Sequence, residues 1–108
     1  MSLQERATEI NREKPALIID LQLYPTHEGG REGPIAPGFG CPCSKTKDLS
    51  IPMFTVFPQL GDQWMQPGET RQVGVVFLVK DEAWEVLGNA DRLYLYDGKW
   101  IGEAQVIK

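Results

Sequence analysis

Leu17, Ile19, Leu21 and Leu23 alternate along the chain with Ile18, Asp20, Gln22 and Tyr24. A period of two puts one set on one face of a β-strand, and the Leu/Ile set is the core face. The pattern returns after the Pro67-Gly68 turn signal, where Val73, Val75, Phe77 and Val79 interleave with Gln72, Gly74, Val76 and Leu78. Residues 51–57 form a further apolar run, with Pro52 suited to a strand start or an edge. Leu60-Gly61-Asp62 reads as a turn. Residues 93–96 and 100–107 flank Asp97-Gly98, a preferred hairpin turn, so the last two strands are expected to pair antiparallel.

Helical spacing is confined to two short stretches. Ser2-Leu3-Gln4-Glu5 has the form of a capping box, with Leu3, Ala7 and Ile10 following on one face. Residues 1–14 are therefore expected to be a short N-terminal helix or a flexible arm. Asp81 is placed to cap a second helix, with Trp84 and Leu87 on one face and Gly88 as a left-handed stop. Short strands and frequent Gly and Pro turns predict an all-β domain over residues 15–108, a small antiparallel barrel or sandwich.

Between the first strand and the rest lies His27-Glu28-Gly29-Gly30-Arg31-Glu32-Gly33-Pro34-Ile35-Ala36-Pro37-Gly38-Phe39-Gly40. Gly allows positive φ, and Pro fixes φ and removes a donor, so this stretch is neither helix nor central strand. A loop this long inside a compact domain is expected to have a defined shape. Cys41-Pro42-Cys43-Ser44 and Lys45-Thr46-Lys47-Asp48 follow as a polar passage.

Composition narrows the function classes. The 108 residues carry 42% hydrophobic and 24% charged positions, an ordinary globular balance. No run approaches a membrane span and no signal peptide opens the chain, so the expectation is a soluble, cytoplasmic protein. A net charge of −4 argues against tight non-specific binding to nucleic acid, though a local patch around Lys45, Lys47 and Lys99 stays open.

Few residues suggest chemistry. Cys41 and Cys43 are weak candidates for a metal or redox site, with His27 the one histidine to join them. Ordinary reduced cysteines are the favoured reading. His27 lacks a nucleophile at recognisable spacing, so no catalytic residue is assigned and no enzyme activity or cofactor is expected. Arg31 is expected to bridge loop carbonyls or an acidic neighbour and hold the loop's shape, ahead of binding phosphate. Trp64, Trp84 and Trp100 read as core or rim residues, with base stacking as the alternative.

Asp20-Leu21-Gln22-Leu23-Tyr24, followed by Glu28-Gly29-Gly30-Arg31, Pro34 and Gly38-Phe39, resembles the C-terminal (third) β-barrel domain of elongation factor Tu. Met65-Gln66-Pro67-Gly68-Glu69-Thr70 is similar to that family's Met-Pro-Gly-Asp turn with one residue inserted. Asp97-Gly98-Lys99-Trp100-Ile101-Gly102 is similar to its last hairpin. The ordered set spans residues 15–108. The resemblance implies a small antiparallel Greek-key β-barrel of about six strands, of translation-factor type. The family's tRNA-facing segment, Gly-Tyr-Arg-Pro-Gln-Phe, is here Gly38-Phe39-Gly40-Cys41-Pro42-Cys43, without its arginine. There is also no Gly-x-x-x-x-Gly-Lys-Ser/Thr loop, so GTP binding and hydrolysis are not expected.

The expectation is thus a non-catalytic binding module whose partner is a protein, touching Glu28, Gly29, Gly30, Arg31, Gly38, Phe39 and Gly102. RNA or tRNA binding is the alternative that the resemblance implies, disfavoured by the acidic charge. A metal or redox site at Cys41 and Cys43 is the second alternative.

Overall fold

The computed structural model of the protein describes residues 2–108; Met1, the first residue of the N-terminal segment, lies outside the described residues. Helix α1 spans Leu3–Arg12 and strand β1 spans Leu17–Leu23. A one-turn 3-10 helix at Thr26–Glu28 leads into the long loop. Strands β2 (Cys41–Ser44), β3 (Phe54–Gln59) and β4 (Thr70–Phe77) follow. Helix α2 (Lys80–Leu87) and strands β5 (Arg92–Tyr96) and β6 (Trp100–Ile107) complete the chain. The six strands close into an antiparallel barrel in the order β1-β4-β3-β2-β5-β6, with β6 returning to β1. Closure gives every strand a neighbour on both sides.

The alternation in β1 and β4 does what its period requires. Leu17, Ile19, Leu21 and Leu23 point inward with Val73, Val75 and Phe77, joined by Val56, Leu93, Leu95, Ile101, Ala104 and Val106. Register follows from this face: Ile19 pairs with Val73 on one side and Val106 on the other. Ser2 caps α1 as expected: the Glu5 backbone N–H donates to Ser2 Oγ, and the Ser2 hydroxyl donates to Glu5 Oε1, both at 3.1 Å. Ala7 and Ile10 are the buried residues of α1, and Gln59 Nε2 donates to the Ile10 carbonyl at 2.8 Å.

Several details depart from the sequence pattern. The Cys-Pro-Cys passage is not a loop but β2, paired with β3 and β5. The apolar run at 51–57 yields a strand shifted to Phe54–Gln59, so Pro52 lies before it. Pro58 sits inside the strand, past the last partner that β2 offers, where a missing N–H is tolerated. Strand β4 stops at Phe77, leaving Leu78 and Val79 exposed, because the chain turns there into α2. That helix takes Val79 rather than Asp81 as its N-cap, and Gly88 keeps right-handed φ and ψ of −61° and −28°.

Candidate functional site

The long loop is built from its two ends. At the first, the Pro25 carbonyl accepts from both the Glu28 and Gly30 N–H groups, at 3.0 and 2.9 Å. This folds the chain back so tightly that a Cβ on Gly30 would stand 1.9 Å from the Tyr24 carbonyl oxygen. Gly29 between them has φ of 95°, the left-handed region that glycine enters freely. In the middle, Ile35 is fully buried and exchanges backbone hydrogen bonds with Met65 at 2.9 and 3.0 Å. At the far end Gly38 has φ of 94°, and its carbonyl accepts from Arg6 Nε of α1 at 2.8 Å.

Arg31 joins this loop to the barrel. Its Nη1 meets Asp97 Oδ2 at 2.5 Å, in the β5–β6 turn, and its Nε donates to the Gly33 carbonyl at 3.3 Å. The guanidinium also lies over the Phe39 ring, 5.1 Å from its centroid. A planar fork of donors that meets an acid and a carbonyl while stacking on a ring suits arginine better than the point charge of lysine. Thr26 Oγ1 donates to the Arg31 carbonyl, fixing the residue from behind. The sequence expectation of a bridging arginine is met in both its forms, a loop carbonyl and an acid.

The residues expected at a contact surface divide into two groups. Glu28 and Gly29 are exposed, and Arg31 and Phe39 are half-buried, so these present atoms to solvent. Gly30, Gly38 and Gly102 are buried and shape the backbone. Gly102 lies in β6 between Leu23 and Leu95, and a Cβ there would stand 2.7 Å from the Gln22 carbonyl oxygen. Its role here is close strand approach.

Cys41 and Cys43 face the barrel interior, 3% and 0% exposed, while Pro42 between them faces out. Burial pushes both thiols up to about 12; the Asp97 charge adds to this at Cys41, and the Cys41 charge at Cys43. Thiols so held are poor nucleophiles and poor metal ligands, since both roles need the thiolate. His27 is exposed on the 3-10 turn. Among the described residues no group of three or more His, Cys, Asp or Glu side chains converges as a metal site, so Cys41, Cys43 and His27 are not gathered into one.

Sequence reasoning missed a second assembly, on the outer face of β5 and β6. Tyr94 and Tyr96 alternate with the buried Leu93 and Leu95, and Trp100 packs edge-on against both tyrosines, with centroids at 6.4 and 5.0 Å. Lys47 reaches this face from the β2–β3 connection, its Nζ 4.6 Å from the Tyr24 ring centroid and 5.7 Å from that of Tyr94. The alternation in Leu93-Tyr94-Leu95-Tyr96 was the available signal. Trp64 and Trp84, in contrast, are more than half and half exposed, at 57% and 50%, outside the core.

No family model matches the chain, and no curated protein matches it significantly.

Proposed function

We propose that the protein is a non-catalytic binding module whose contact surface is the loop of residues 28–40 together with the Asp97 turn. The observation that carries this reading is the Arg31 clamp. A long irregular loop is held to the barrel by an ion pair, a carbonyl contact and an aromatic stack, while Glu28 and Gly29 stay exposed beside it. Ordering a loop before binding lowers the entropy lost on association. The buried, protonated thiols leave the metal or redox reading without support.

The same proposal takes the barrel as a Greek key of translation-factor type, resembling the third domain of elongation factor Tu and acting in the cytoplasm. The strand order supports it: β2, β3 and β4 run as a meander and β1 lies beside β4. The partner in this reading is a protein. For RNA, phosphate contacts need free cations; five of the eleven, Arg31, Arg71, Lys80, Arg92 and Lys108, each pair with an acid of this chain, and the net charge of −4 opposes a polyanion.

The test is an affinity capture from extract of the native cell, with wild type and Arg31→Ala side by side. The variant should keep the wild-type far-UV spectrum, exchange its loop amides faster and lose the captured protein. Full capture together with unchanged exchange in residues 28–40 would remove both roles given to Arg31.

A further inference from the structure

The aromatic face of β5 and β6 holds a charge arrangement that the contact loop does not use. Glu103 pairs in register with Gln22 of β1 and Tyr94 of β5, which sets its side chain on the outer wall between those strands. Its carboxylate is fixed from both sides. Tyr24 Oη donates to Oε1 at 3.0 Å, and Arg92 Nη1 donates to Oε2 at 3.1 Å. Trp100 braces Tyr94 from behind with an edge contact at 80°. Two ring faces and a held carboxylate are all electron-rich, and together they favour a cation over an anion or a neutral group.

A cation already stands there. Lys47 Nζ lies 4.6 and 5.7 Å from the centroids of Tyr24 and Tyr94. The Tyr24 hydroxyl, with the charge of Glu103 assisting, lifts this ammonium above its ordinary value. Yet the segment that delivers it is weakly tied. Residues 45–50 are all exposed, and their side-chain hydrogen bonds are local ones, Thr46 N–H to Ser44 Oγ and Ser50 to Asp48. Lys47 is therefore held over the two rings mainly by the rings themselves.

We propose that Tyr24, Tyr94 and Glu103 form a binding recess for an organic ammonium group, and that Lys47 occupies it as an internal stand-in for that ligand. A methylated ammonium competes well, because it is more weakly hydrated than the lysine ammonium and gives up less on entering an aromatic site. Tyr24 adjoins the contact loop, but none of Tyr94, Glu103 and Lys47 belongs to the contact surface proposed above, so the two proposals are tested by different variants.

Tetramethylammonium chloride is the probe, titrated into wild type, Lys47→Ala and Lys47→Gln at constant ionic strength. The Trp100 indole N–H resonance, adjacent to Tyr94, reports occupancy. Both Lys47 variants should bind at least about tenfold more tightly than wild type, a difference of about 1.4 kcal/mol. Adding Tyr94→Leu to Lys47→Ala should abolish the response. The uncharged isostere 3,3-dimethylbutanol should leave the resonance unmoved. A trimethyllysine peptide distinguishes the source: tighter binding than the free cation assigns the recess to a partner chain, equal binding to a small molecule. Equal responses from wild type and both Lys47 variants, or an equal response to the neutral alcohol, would overturn the proposal.

Discussion

Two loops flank β2, and they are ordered by opposite means. The loop before it, residues 24–40, is anchored at depth. Ile35 is fully buried, Gly30 presses on the Tyr24 carbonyl, and Arg31 reaches across to Asp97. The loop after it, residues 45–53, is exposed from Lys45 to Ser50 and folds on itself through Asp48 and Ser50. A high density of Gly and Pro marks the first, whereas polar residues without a buried anchor mark the second. The contrast shows that glycine here serves shape: it lets backbone approach backbone, and the approach is then fixed by burial. The second loop keeps the freedom that a displaceable Lys47 requires.

Both loops hang on the same barrel wall, so the largest effect comes from breaking that wall. Val75 is 1% exposed and pairs with Leu17 and Pro58. Val75→Asp or Ile19→Asp places an unpaired carboxylate in the core, and neither variant should fold. Circular dichroism and a thermal scan check this. A cooperative transition in either would erase the distinction between anchored and self-folded loops, since the anchors themselves would be misplaced.

The next effect is a pH dependence in the strand that joins the loops. Cys41 and Cys43 have thiols raised by burial from 9.0 to about 12. A group whose folded value is raised contributes stability that is complete below its unfolded value and lost as pH climbs towards the folded value. Unfolding should therefore ease progressively between pH 9 and about 12, within the window those two values set. Near pH 11 the loss is on the order of a few kcal/mol from the thiols. Chemical denaturation at pH 8 and above, compared with a Cys41→Ala/Cys43→Ala variant, isolates this contribution. In the variant the slope in that window should flatten.

Much of this was legible in sequence because local rules and tertiary structure agree. The β1 and β4 alternations named their own core faces, and Asp97-Gly98 named the last hairpin. Gly29 and Gly38 hold the positive φ that the loop reading asked for, and Arg31 found an acid and a carbonyl. The misses share a cause. Cys41-Pro42-Cys43 is short and broken by proline, so only its partners Phe54–Val56 and Leu95 reveal a strand. Tyr24, just past β1, meets Lys47 of the β2–β3 connection, Tyr94 of β5 and Glu103 of β6, and no spacing along the chain encodes that meeting.

A smaller, sharper test compares glycines within the first loop. Gly30→Val must push backbone against the Tyr24 carbonyl, and Gly33→Ala meets nothing within 4 Å. The first should cost about 1–3 kcal/mol or more, and the second should stay within about 0.5 kcal/mol of wild type. Urea denaturation resolves both. Equal effects would mean that the close approach of Gly30 to the Tyr24 carbonyl does not order the loop, and that its order comes from elsewhere.

The smallest effect belongs to the second loop. Ser50 donates twice to Asp48 Oδ1, from its hydroxyl at 2.7 Å and its N–H at 2.9 Å. These two bonds, the hydroxyl first, hold the Asp48 carboxyl below its ordinary value of 3.8. Ser50→Ala removes the hydroxyl and keeps the N–H. The carboxyl should then titrate closer to its ordinary value in a carbon-detected NMR titration, with the sign fixed by the loss of a donor to the charged form. A depressed carboxyl contributes stability present above its unfolded value and lost as pH falls, so any deficit of the variant is present at neutral pH and vanishes in acid. At neutral pH the melting temperature should fall only slightly, because Asp48 is exposed and the loop has no buried anchor for the change to disturb. A melting temperature that falls as far as in Gly30→Val would show the second loop to be anchored after all. Lys47 would then be fixed in its recess by the loop as well as by the rings.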